Sequence, residues 1–472
     1  MAESPVINLA ARILREVSHG TPADAALRAA LKRTRHRSAP AERRDVSRAV
    51  FAYFRWWRWL TERDSLQKQL EEALGLQRRF DQGPASFKPE ALAARAIPDW
   101  LKERIPWPEA ESRPTGSVAP PDHPADTNLV AAVVPNGQPS SPRKRPYPTE
   151  LGWLRQLQRD PVLWIRPKAS LAQKVAAALG HCSAPAVASS GESGQPLVDL
   201  PETSALCYAG QADLFHTAGF QAGDFEIQDL ASQLVGFACS PRPGETWWDA
   251  CAGEGGKTLH LADLMQNKGM IWASDRSVRR LKQLKERTAR AQVFNYRAAT
   301  WEGDARLPTK TKFDGVLVDA PCSGIGTWQR NPHARWTTQL QDVEELAAVQ
   351  TRLLDHVAGS LKAGGRLVYS VCTLARAETS DVAEKFNRAH PDFERVPVWI
   401  ARADSSALPA TLSTPHEATA PTADLRRPPS DVLPPSSDLR LPTSVLQPGT
   451  SAFLWPQHLN ANGMFIASWR KK

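Results

Sequence analysis

The chain has 472 residues, of which 42% are hydrophobic, and it carries a formal net charge of +9. This length exceeds one ordinary core, so two or three domains are expected, and 39 prolines indicate that part of the chain is not packed. The six cysteines form no CxxC pair, which argues against a zinc site and a disulfide framework and favours a reducing compartment. The charge suits a polyanionic partner, but charge alone is equally consistent with a basic soluble protein.

Targeting and membrane signals are absent from the sequence. No apolar run approaches the roughly 18 residues that span a bilayer, and the first residues lack the basic and apolar regions of a signal peptide. We therefore expect a cytoplasmic protein with no membrane partner and no metal.

Residues 8–76 show the apolar periodicity of helices. One helix is predicted up to Gly20, a second after Thr21 and Pro22, and a third over about 41–60. We predict a small all-helical domain over residues 1–107. Its surface is interpreted as an RNA-binding face in which arginines alternate with aromatic rings, although the rings could equally form the core. These residues are Arg33, Arg35, Arg37, Arg43, Arg44, Arg48, Arg55, Arg58, Trp56, Trp57 and Trp59.

Two stretches lose this periodicity and are rich in Pro and Ser. Residues 108–148 and residues 405–448 are both predicted to be disordered inserts. Between the first insert and residue 240, a helix near 151–154, a strand at 161–166 and a helix at 171–179 predict a linking α/β segment.

Strands and helices alternate from residue 246 onward. Strands are predicted at 246–249, 269–275, 296–301, 313–319 and 365–372, and helices at 257–265, 278–291 and 340–361. This order predicts βαβ units and a parallel sheet. Two last strands, at 452–455 and 464–469, are predicted to form a closing hairpin or an antiparallel edge.

The segment DACAGEGGKT at residues 249–258 is predicted as a strand end, a glycine-rich turn and a helix start. Glycines there let a ligand approach the backbone, and a helix start offers free N–H groups. Asp275 ends the next strand, where an acid can accept hydrogen bonds from ribose hydroxyls, and Asp304 follows the third strand, where it could accept from an adenine amino group. An adenosine ligand is therefore predicted.

A nucleotide phosphate is the competing ligand for this loop. The last part of this loop, Gly256-Lys257-Thr258, matches the end of a P-loop motif. Asp319 resembles the acid at a strand end that holds magnesium in P-loop proteins. A P-loop, however, requires glycine where Cys251 stands, and Glu254 would repel phosphate. S-adenosylmethionine carries a sulfonium and no phosphate, so it is favoured, with a P-loop hydrolase as the alternative.

Two cysteines, Cys322 and Cys372, each follow a predicted strand, and Asp319 ends the first of them. Chemistry in α/β sheets gathers at the carboxyl ends of strands. A thiolate that adds to carbon 6 of cytosine activates carbon 5 to attack a methyl group. Asp319, if protonated, could stabilise the adduct at ring nitrogen 3, and a second thiol could assist release. The alternative is that both cysteines are buried small hydrophobes.

These motifs resemble those of the Sun/RsmB/Nop-type RNA cytosine-5 methyltransferases. Residues 249–258 are similar to the donor loop, and DAPCSG at 319–324 with YSVCT at 369–373 are similar to the paired cysteine motifs. The resemblance implies that Cys372 is the nucleophile, that Cys322 assists release of the product and that Asp319 engages the base. The residues expected to hold S-adenosylmethionine are Cys251, Ala252, Gly253, Glu254, Gly255, Gly256, Lys257, Asp275, Asp304 and Asp319.

The resemblance extends to the ribosomal RNA branch of the family. Residues 23–27 and Phe54-Arg55 are similar to its NusB-like domain, and residues 161–166 to its RNA-contacting strand. The implied fold is a class I SAM-dependent methyltransferase, with a Rossmann-like, mostly parallel seven-stranded sheet at 241–472, an RNA-binding segment at 149–240 and an N-terminal all-α NusB-like domain. The implied partner of this expected monomer is small-subunit ribosomal RNA; transfer RNA and a non-catalytic RNA-binding assembly factor are alternatives. Three residues depart from the family pattern: Glu254, Thr379 and Asn462.

Overall fold

The structure is a computed structural model that describes residues 4–34, 39–108, 147–185, 204–398 and 451–472. The insert predicted at 405–448 and nearly all of the insert predicted at 108–148 lie outside the described residues, as do Arg35 and Arg37.

The described residues of the first module, called here the helical module, contain five α-helices. They are α1 (Pro5–Ser18), α2 (Ala23–Thr34), α3 (Pro40–Trp56), α4 (Leu66–Gln82) and α5 (Pro89–Arg95). The three predicted helices are confirmed, and α4 is a separate helix whose N-terminal Ser65 accepts a hydrogen bond from the backbone of Lys68. Apolar faces of α1, α2 and α3 enclose one core that includes Ala10, Leu27 and Val50.

The interpretation of the arginine-rich face needs correction at two residues. Trp56 is fully buried, and the Arg55 side chain is buried beside Gln77 and Asp160, with Nη1 2.7 Å and 2.8 Å from their oxygens. Both face inward because α3 is enclosed on that side by α4 and by the segment around residue 160. Trp57, in contrast, is 43% exposed.

A small antiparallel sheet follows the helical module. It contains β1 (Leu163–Pro167), β2 (Cys182–Ser183), β3 (Leu206–Tyr208) and β4 (Phe225–Ile227), in the order β2-β3-β1-β4. The helices α7 (Ala172–Leu179) and α8 (Ala218–Gln221) accompany it, whereas α6 (Pro148–Gln156), which precedes β1, packs with the helical module. The sheet is joined to the rest of the chain by Glu226, whose carboxylate pairs with Arg287 and Arg290.

The large sheet has the strand order β10-β12-β9-β8-β5-β6-β7, with β11 paired to β12. Its strands are β5 (Thr246–Asp249), β6 (Met270–Asp275), β7 (Tyr296–Thr300), β8 (Phe313–Asp319), β9 (Leu361–Val371), β10 (Phe393–Arg395), β11 (Ser451–Leu454) and β12 (Met464–Lys471). Strands β5 to β9 pair in parallel, and β12 runs antiparallel to its neighbours. The predicted α/β sheet is confirmed.

Helices of the large sheet are α9 (Leu230–Cys239), α10 (Gly256–Leu264), α11 (Val278–Arg290), α12 (Ala334–Thr337), α13 (Leu340–Ala358), α14 (Ser380–Ala389) and α15 (Pro456–Leu459). Strand order reverses between β5 and β8, so their carboxyl ends form the crevice where α/β sheets bind ligands.

Two boundaries differ from the sequence-based prediction. Helix α13 ends at Ala358, and β9 begins at Leu361, because Leu361 pairs with Phe313 across the sheet. The predicted closing hairpin is confirmed by the antiparallel pairing of β11 with β12, but β12 lies between β9 and β10 and not at an edge. Its residues Met464 to Trp469 are buried on both faces, which is the pattern of an internal strand.

The helical module and the large sheet share a hydrophobic core where they meet. Trp56 and Phe80 from the helices pack in one cluster with Trp328, Leu374 and Trp455. The loops that follow β8 and β9 therefore rest directly on the helical module. No helix among the described residues is long and apolar enough to cross a membrane.

Candidate active site

The two cysteines predicted from sequence meet at one edge of the large sheet. Strands β8 and β9 pair in parallel with Asp319 opposite Ser370, so their following loops leave the sheet side by side. The Sγ atoms of Cys322 and Cys372 are 3.4 Å apart, which is within hydrogen-bonding distance for thiols. Both cysteines are partly buried and unpaired by any disulfide.

The two thiols have opposite tendencies to ionise. A hydrogen bond from the Cys322 S–H lowers the pKa of Cys372; burial acts against this, and the nearby cations Lys257 and Arg330 reinforce it. The same hydrogen bond, together with burial, raises the pKa of Cys322 well above its ordinary value. The arrangement therefore makes Cys372 the more readily ionised thiol of the pair.

Lys257 connects the glycine-rich loop to the cysteines. Its Nζ lies 2.6 Å from Oδ2 of Asp319, and Ser370 Oγ donates to the other carboxylate oxygen at 2.7 Å. Burial alone would lower the pKa of Lys257, but Asp319 outweighs it and the net direction is upward. An ion pair requires an ionised Asp319, so the protonated form assumed from sequence is not the one that this geometry favours.

The glycine-rich turn has the conformation that its sequence requires. Gly253 and Gly255 have φ values of +56° and +86°, and a Cβ on Gly255 would lie 2.8 Å from Leu284 Cγ. The backbone N–H of Gly253 donates to Asp275 Oδ2 at 3.0 Å, while that of Ala252 donates to the carbonyl of Ser274 at 2.8 Å. The turn is thus fastened over the end of β6, with Gly256 opening helix α10.

Acidic side chains surround this turn. Asp249 is buried, with Oδ2 accepting from Thr258 at 2.7 Å and Oδ1 without a partner among the described residues. Burial raises the pKa of Asp249 to about 7, the Thr258 hydrogen bond opposes this, and Asp319 and Asp275 add to it. This carboxylate set suits a cationic sulfonium ligand and would repel a polyphosphate, which argues against a P-loop.

The remaining predicted donor-site residues have the following surroundings. Asp304 is exposed and lies four residues after Thr300, the β7 residue that pairs with Asp275; its Oδ1 accepts from the backbone N–H of Arg306 at 3.1 Å. Burial raises the pKa of the Cys251 thiol, which packs against the core. Glu254 is exposed and its carbonyl accepts from Arg287 at 3.1 Å. No cluster of His, Cys, Asp or Glu suited to a metal ion occurs in the described part of the chain.

The two other departures from the family pattern have structural partners. Thr379 is buried, and its hydroxyl donates to the carbonyl of Ala375 at 2.8 Å. The backbone N–H of Asn462 lies 3.1 Å and 3.2 Å from the carboxylate oxygens of Asp229, which caps helix α9.

A glycine pair holds the loop that carries Cys322. Gly326 donates its N–H to the carbonyl of Cys372 at 3.0 Å, and Gly463 donates to the carbonyl of Gly326 at 2.8 Å. A Cβ on Gly326 would lie 2.0 Å from the Gly463 carbonyl oxygen, so only glycine fits.

Sequence reasoning missed a fully buried carboxylate, Glu378, behind the two thiols. Its Oε1 accepts from the backbone N–H of Ser323 at 2.9 Å and from Gln350 Nε2 at 3.1 Å. Its Oε2 accepts from the hydroxyls of Ser323 and of Thr373, the latter at 3.0 Å. The sequence signal that could have indicated this hydrogen-bond network is the hydroxyl residue that directly follows each cysteine, Ser323 and Thr373.

A cavity of about 440 Å³ opens beside Cys322. It is lined by Cys322, Ser323, Thr338, Asp342, Glu345, Leu346 and Val349. The Cys322 side of the thiol pair is therefore accessible from outside the sheet.

Comparisons with known proteins agree with this geometry. Residues 237–470 match the model of the family described as 16S rRNA methyltransferase RsmB/F. The chain is 42% identical over 179 residues to the probable ribosomal RNA small subunit methyltransferase B of Bacillus subtilis (strain 168), and 39% identical over 183 residues to that of Synechocystis sp. (strain ATCC 27184 / PCC 6803 / Kazusa). These matches cover 37% and 38% of this chain, and 40% and 41% of the relatives, so the chain aligns with about two fifths of their length.

A solved structure is similar over the whole chain. The crystal structure of PH0851 superposes with a TM-score of 0.64 at 21% sequence identity, covering 99% of each chain, which supports the fold. Taken with the two thiol loops and the glycine-rich turn, the sequence matches show that residues 237–470 belong to the RsmB/F methyltransferase family.

Proposed function

We propose that the protein transfers a methyl group from S-adenosylmethionine to carbon 5 of a cytidine in small-subunit ribosomal RNA. The observation that carries this proposal is the contact between Cys322 and Cys372, 3.4 Å apart and next to the Lys257–Asp319 ion pair. Few reactions use a thiolate, a second thiol and an acid beside an adenosine pocket.

Cys372 acts as the nucleophile in this scheme. Its thiolate adds to carbon 6 of the ring, which gives carbon 5 the electron density to accept a methyl group. Water then takes the proton from carbon 5, the electrons of that C–H bond re-form the C5–C6 double bond, and the electrons of the C6–S bond return to Cys372 as the thiolate. Cys322 assists this elimination from its position beside Cys372. The target base is flipped out of any helix to reach the thiol.

Asp319 and Lys257 are proposed to hold the cytosine edge. The ionised carboxylate accepts a hydrogen bond from the exocyclic amino group, and the neighbouring ammonium stabilises negative charge that builds up on the ring. Because Ser370 holds the second carboxylate oxygen, the Asp319 side chain keeps one orientation.

The methyl donor, when bound, supplies the electrophilic methyl group. We propose that it lies against residues 251–257, with Asp275 accepting from ribose and Asp304 from adenine. The carboxylates of Asp275 and Asp319 near the turn fit its cationic sulfonium. The names of the relatives support ribosomal RNA as substrate; a monomer in the cytoplasm stays a prediction from the sequence.

The test is methyl transfer from labelled S-adenosylmethionine to purified small-subunit ribosomal RNA and to transfer RNA, followed by bisulfite sequencing. We expect one or a few modified cytidines in the ribosomal RNA and none with Cys372→Ala. Modification of transfer RNA alone would favour the alternative substrate. Full methyl transfer by Cys372→Ala would contradict the proposal. A non-catalytic assembly factor predicts that this substitution leaves every activity of the protein unchanged.

The P-loop hydrolase is tested separately by calorimetry. The proposal requires binding of S-adenosylmethionine and none of ATP, because carboxylates surround the loop. ATP binding without binding of the methyl donor would reverse the assignment.

A further inference from the structure

The two cysteine loops share one buried anchor, the carboxylate of Glu378, which lies in the turn before helix α14. Its two oxygens accept four hydrogen bonds, three of them from residues that directly follow the cysteines: the N–H and hydroxyl of Ser323 and the hydroxyl of Thr373. The hydroxyls of Ser323 and Thr373 also lie 3.0 Å apart. One side chain therefore fixes the spacing of both loops.

The anchor is itself held rigidly. Gln350 on α13 donates to Glu378 Oε1 at 3.1 Å and also to the carbonyl of Pro321 at 2.9 Å. Tyr369 on β9 donates its hydroxyl to the backbone carbonyl of Glu378 at 2.6 Å and lies 3.0 Å from Gln350 Oε1. Strand, helix and both loops thus converge on this residue, which would not contact RNA or the methyl donor.

A negative charge at this place acts unequally on the two thiols. It opposes ionisation of Cys322, whereas Lys257 and Arg330 favour the thiolate of Cys372. The other titratable groups facing the pair are Asp319 and Tyr369, with Asp342 and Glu345 across the cavity. All the donors around Glu378 point at its oxygens, an arrangement that suits the ionised form, although burial raises its pKa.

We propose that Glu378 is a positioning residue that sets the two thiols at contact distance and keeps the proton on Cys322, so that Cys372 carries the thiolate. This inference rests on the proposed function. It states that Glu378, a residue outside the two cysteine motifs, determines which role each cysteine has.

The test is alkylation of the free protein with iodoacetamide across pH 6 to 10, with the peptides of Cys322 and Cys372 quantified separately by mass spectrometry. In the wild-type protein we expect Cys372 to react first. In Glu378→Gln, which keeps the shape and removes the charge, we expect the Cys372-to-Cys322 rate ratio to fall about tenfold, since one charge at this range shifts a buried group by about one pKa unit.

The matched control is Glu384→Gln, an exposed glutamate on α14, which should keep the wild-type ratio. Melting temperatures establish that each variant is folded. A folded Glu378→Gln protein with the wild-type ratio at every pH would overturn the proposal, since a purely structural role leaves the ratio unchanged.

A second variant covers the case in which Glu378→Gln does not fold. Glu378→Asp keeps the charge and withdraws it by one methylene, so Cys372 should stay the faster thiol while methyl transfer slows; a reversed order would overturn the proposal. Alkylation needs neither RNA nor methyl donor. A wild-type protein that labels as expected but methylates nothing would therefore refute the proposed function and leave this inference standing.

Discussion

The proposed reaction assigns different roles to two chemically identical side chains, Cys322 and Cys372, which are in contact. Because the pKa of Cys372 is lowered and that of Cys322 is raised, loss of either cysteine should have a different result. We expect Cys322→Ala to form the bond to carbon 6 and to release the product slowly, so a covalent protein–RNA complex accumulates on a denaturing gel. Cys372→Ala should give no such band. A clean gel for both variants would contradict the assigned roles.

Asp249 makes the stability of the fold depend on pH. Its buried carboxyl keeps its proton up to about pH 7, whereas in the unfolded chain it ionises near pH 4. Between these values the folded state binds more protons, so this group lowers the free energy of unfolding as pH rises, by at most about 1.4 kcal/mol per pH unit.

Asp249→Asn removes this dependence. Relative to the wild-type protein, the variant should gain stability steadily from pH 4 to 7 and no further above pH 7, as measured by denaturant unfolding followed through tryptophan fluorescence. Asp392→Asn, at an exposed position, is the control and should follow the wild-type curve. A difference that is constant with pH would show that Asp249 is ionised throughout.

At the scale of elements, the residues after helix α3 meet the short helix α12 at one surface, the Trp57 patch (Trp57, Arg58 and Trp336), in which Trp57 and Arg58 are exposed and Trp336 is half-buried. The rings of Trp57 and Trp336 lie 5.5 Å apart, and the guanidinium of Arg58 lies 5.2 Å from the Trp336 ring. The indole N–H of Trp336 donates to the carbonyl of Phe54, so the patch joins both modules. Aromatic rings beside arginine are typical of surfaces that bind unpaired bases.

We expect Trp57→Ala to weaken RNA binding because a stacked base contributes about 1–3 kcal/mol, or roughly 5- to 150-fold in affinity. Fluorescence anisotropy with ribosomal RNA fragments measures this, and calorimetry should find unchanged affinity for the methyl donor. Phe215→Ala, which removes a ring that is 55% exposed on another face, is the matched control. Equal RNA affinity of the two variants would show that the Trp57 patch does not contribute to RNA binding.

At the scale of the whole molecule, a buried arginine fastens the helical module to the large sheet. Arg335 on α12 is fully buried; it donates to the carbonyls of Ala96 at 3.1 Å and of Leu157 at 3.0 Å. Burial, helped by Arg55, lowers its pKa to about 9. Three parts of the chain meet at this one side chain.

Arg335→Ala should therefore loosen the assembly of the modules. It leaves two buried carbonyls without their donor and opens a cavity, which costs roughly 2–5 kcal/mol. We expect a lower melting temperature and earlier cleavage between the modules by protease. Arg352→Ala, on an exposed position of α13, should change stability by less than about 0.5 kcal/mol. Matching melting curves for both variants would contradict this role.

Local patterns were enough to predict the parallel strands and the meeting of Cys322 with Cys372, because strand ends and turn residues are encoded next to each other. Local patterns were insufficient for Arg55. Arginine is usually a surface residue, but Arg55 is buried by helix α4 and by the segment around residue 160, which are far apart in the sequence. The network of Glu378 was missed for the same reason, since its partners come from four separate elements. Contacts between distant segments carry no periodic signal.

The hydrogen bond from Gly463 to Gly326 also has a consequence for biosynthesis. The loop of Cys322 receives its last support from a residue that the ribosome adds long after both cysteines, and β12 can pair with β9 only after that. A nascent chain that already contains the two thiols thus lacks the completed sheet that holds them together. We therefore expect the paired thiols to reach their final arrangement only after Gly463 and β12 have been added, about 90 residues after Cys372.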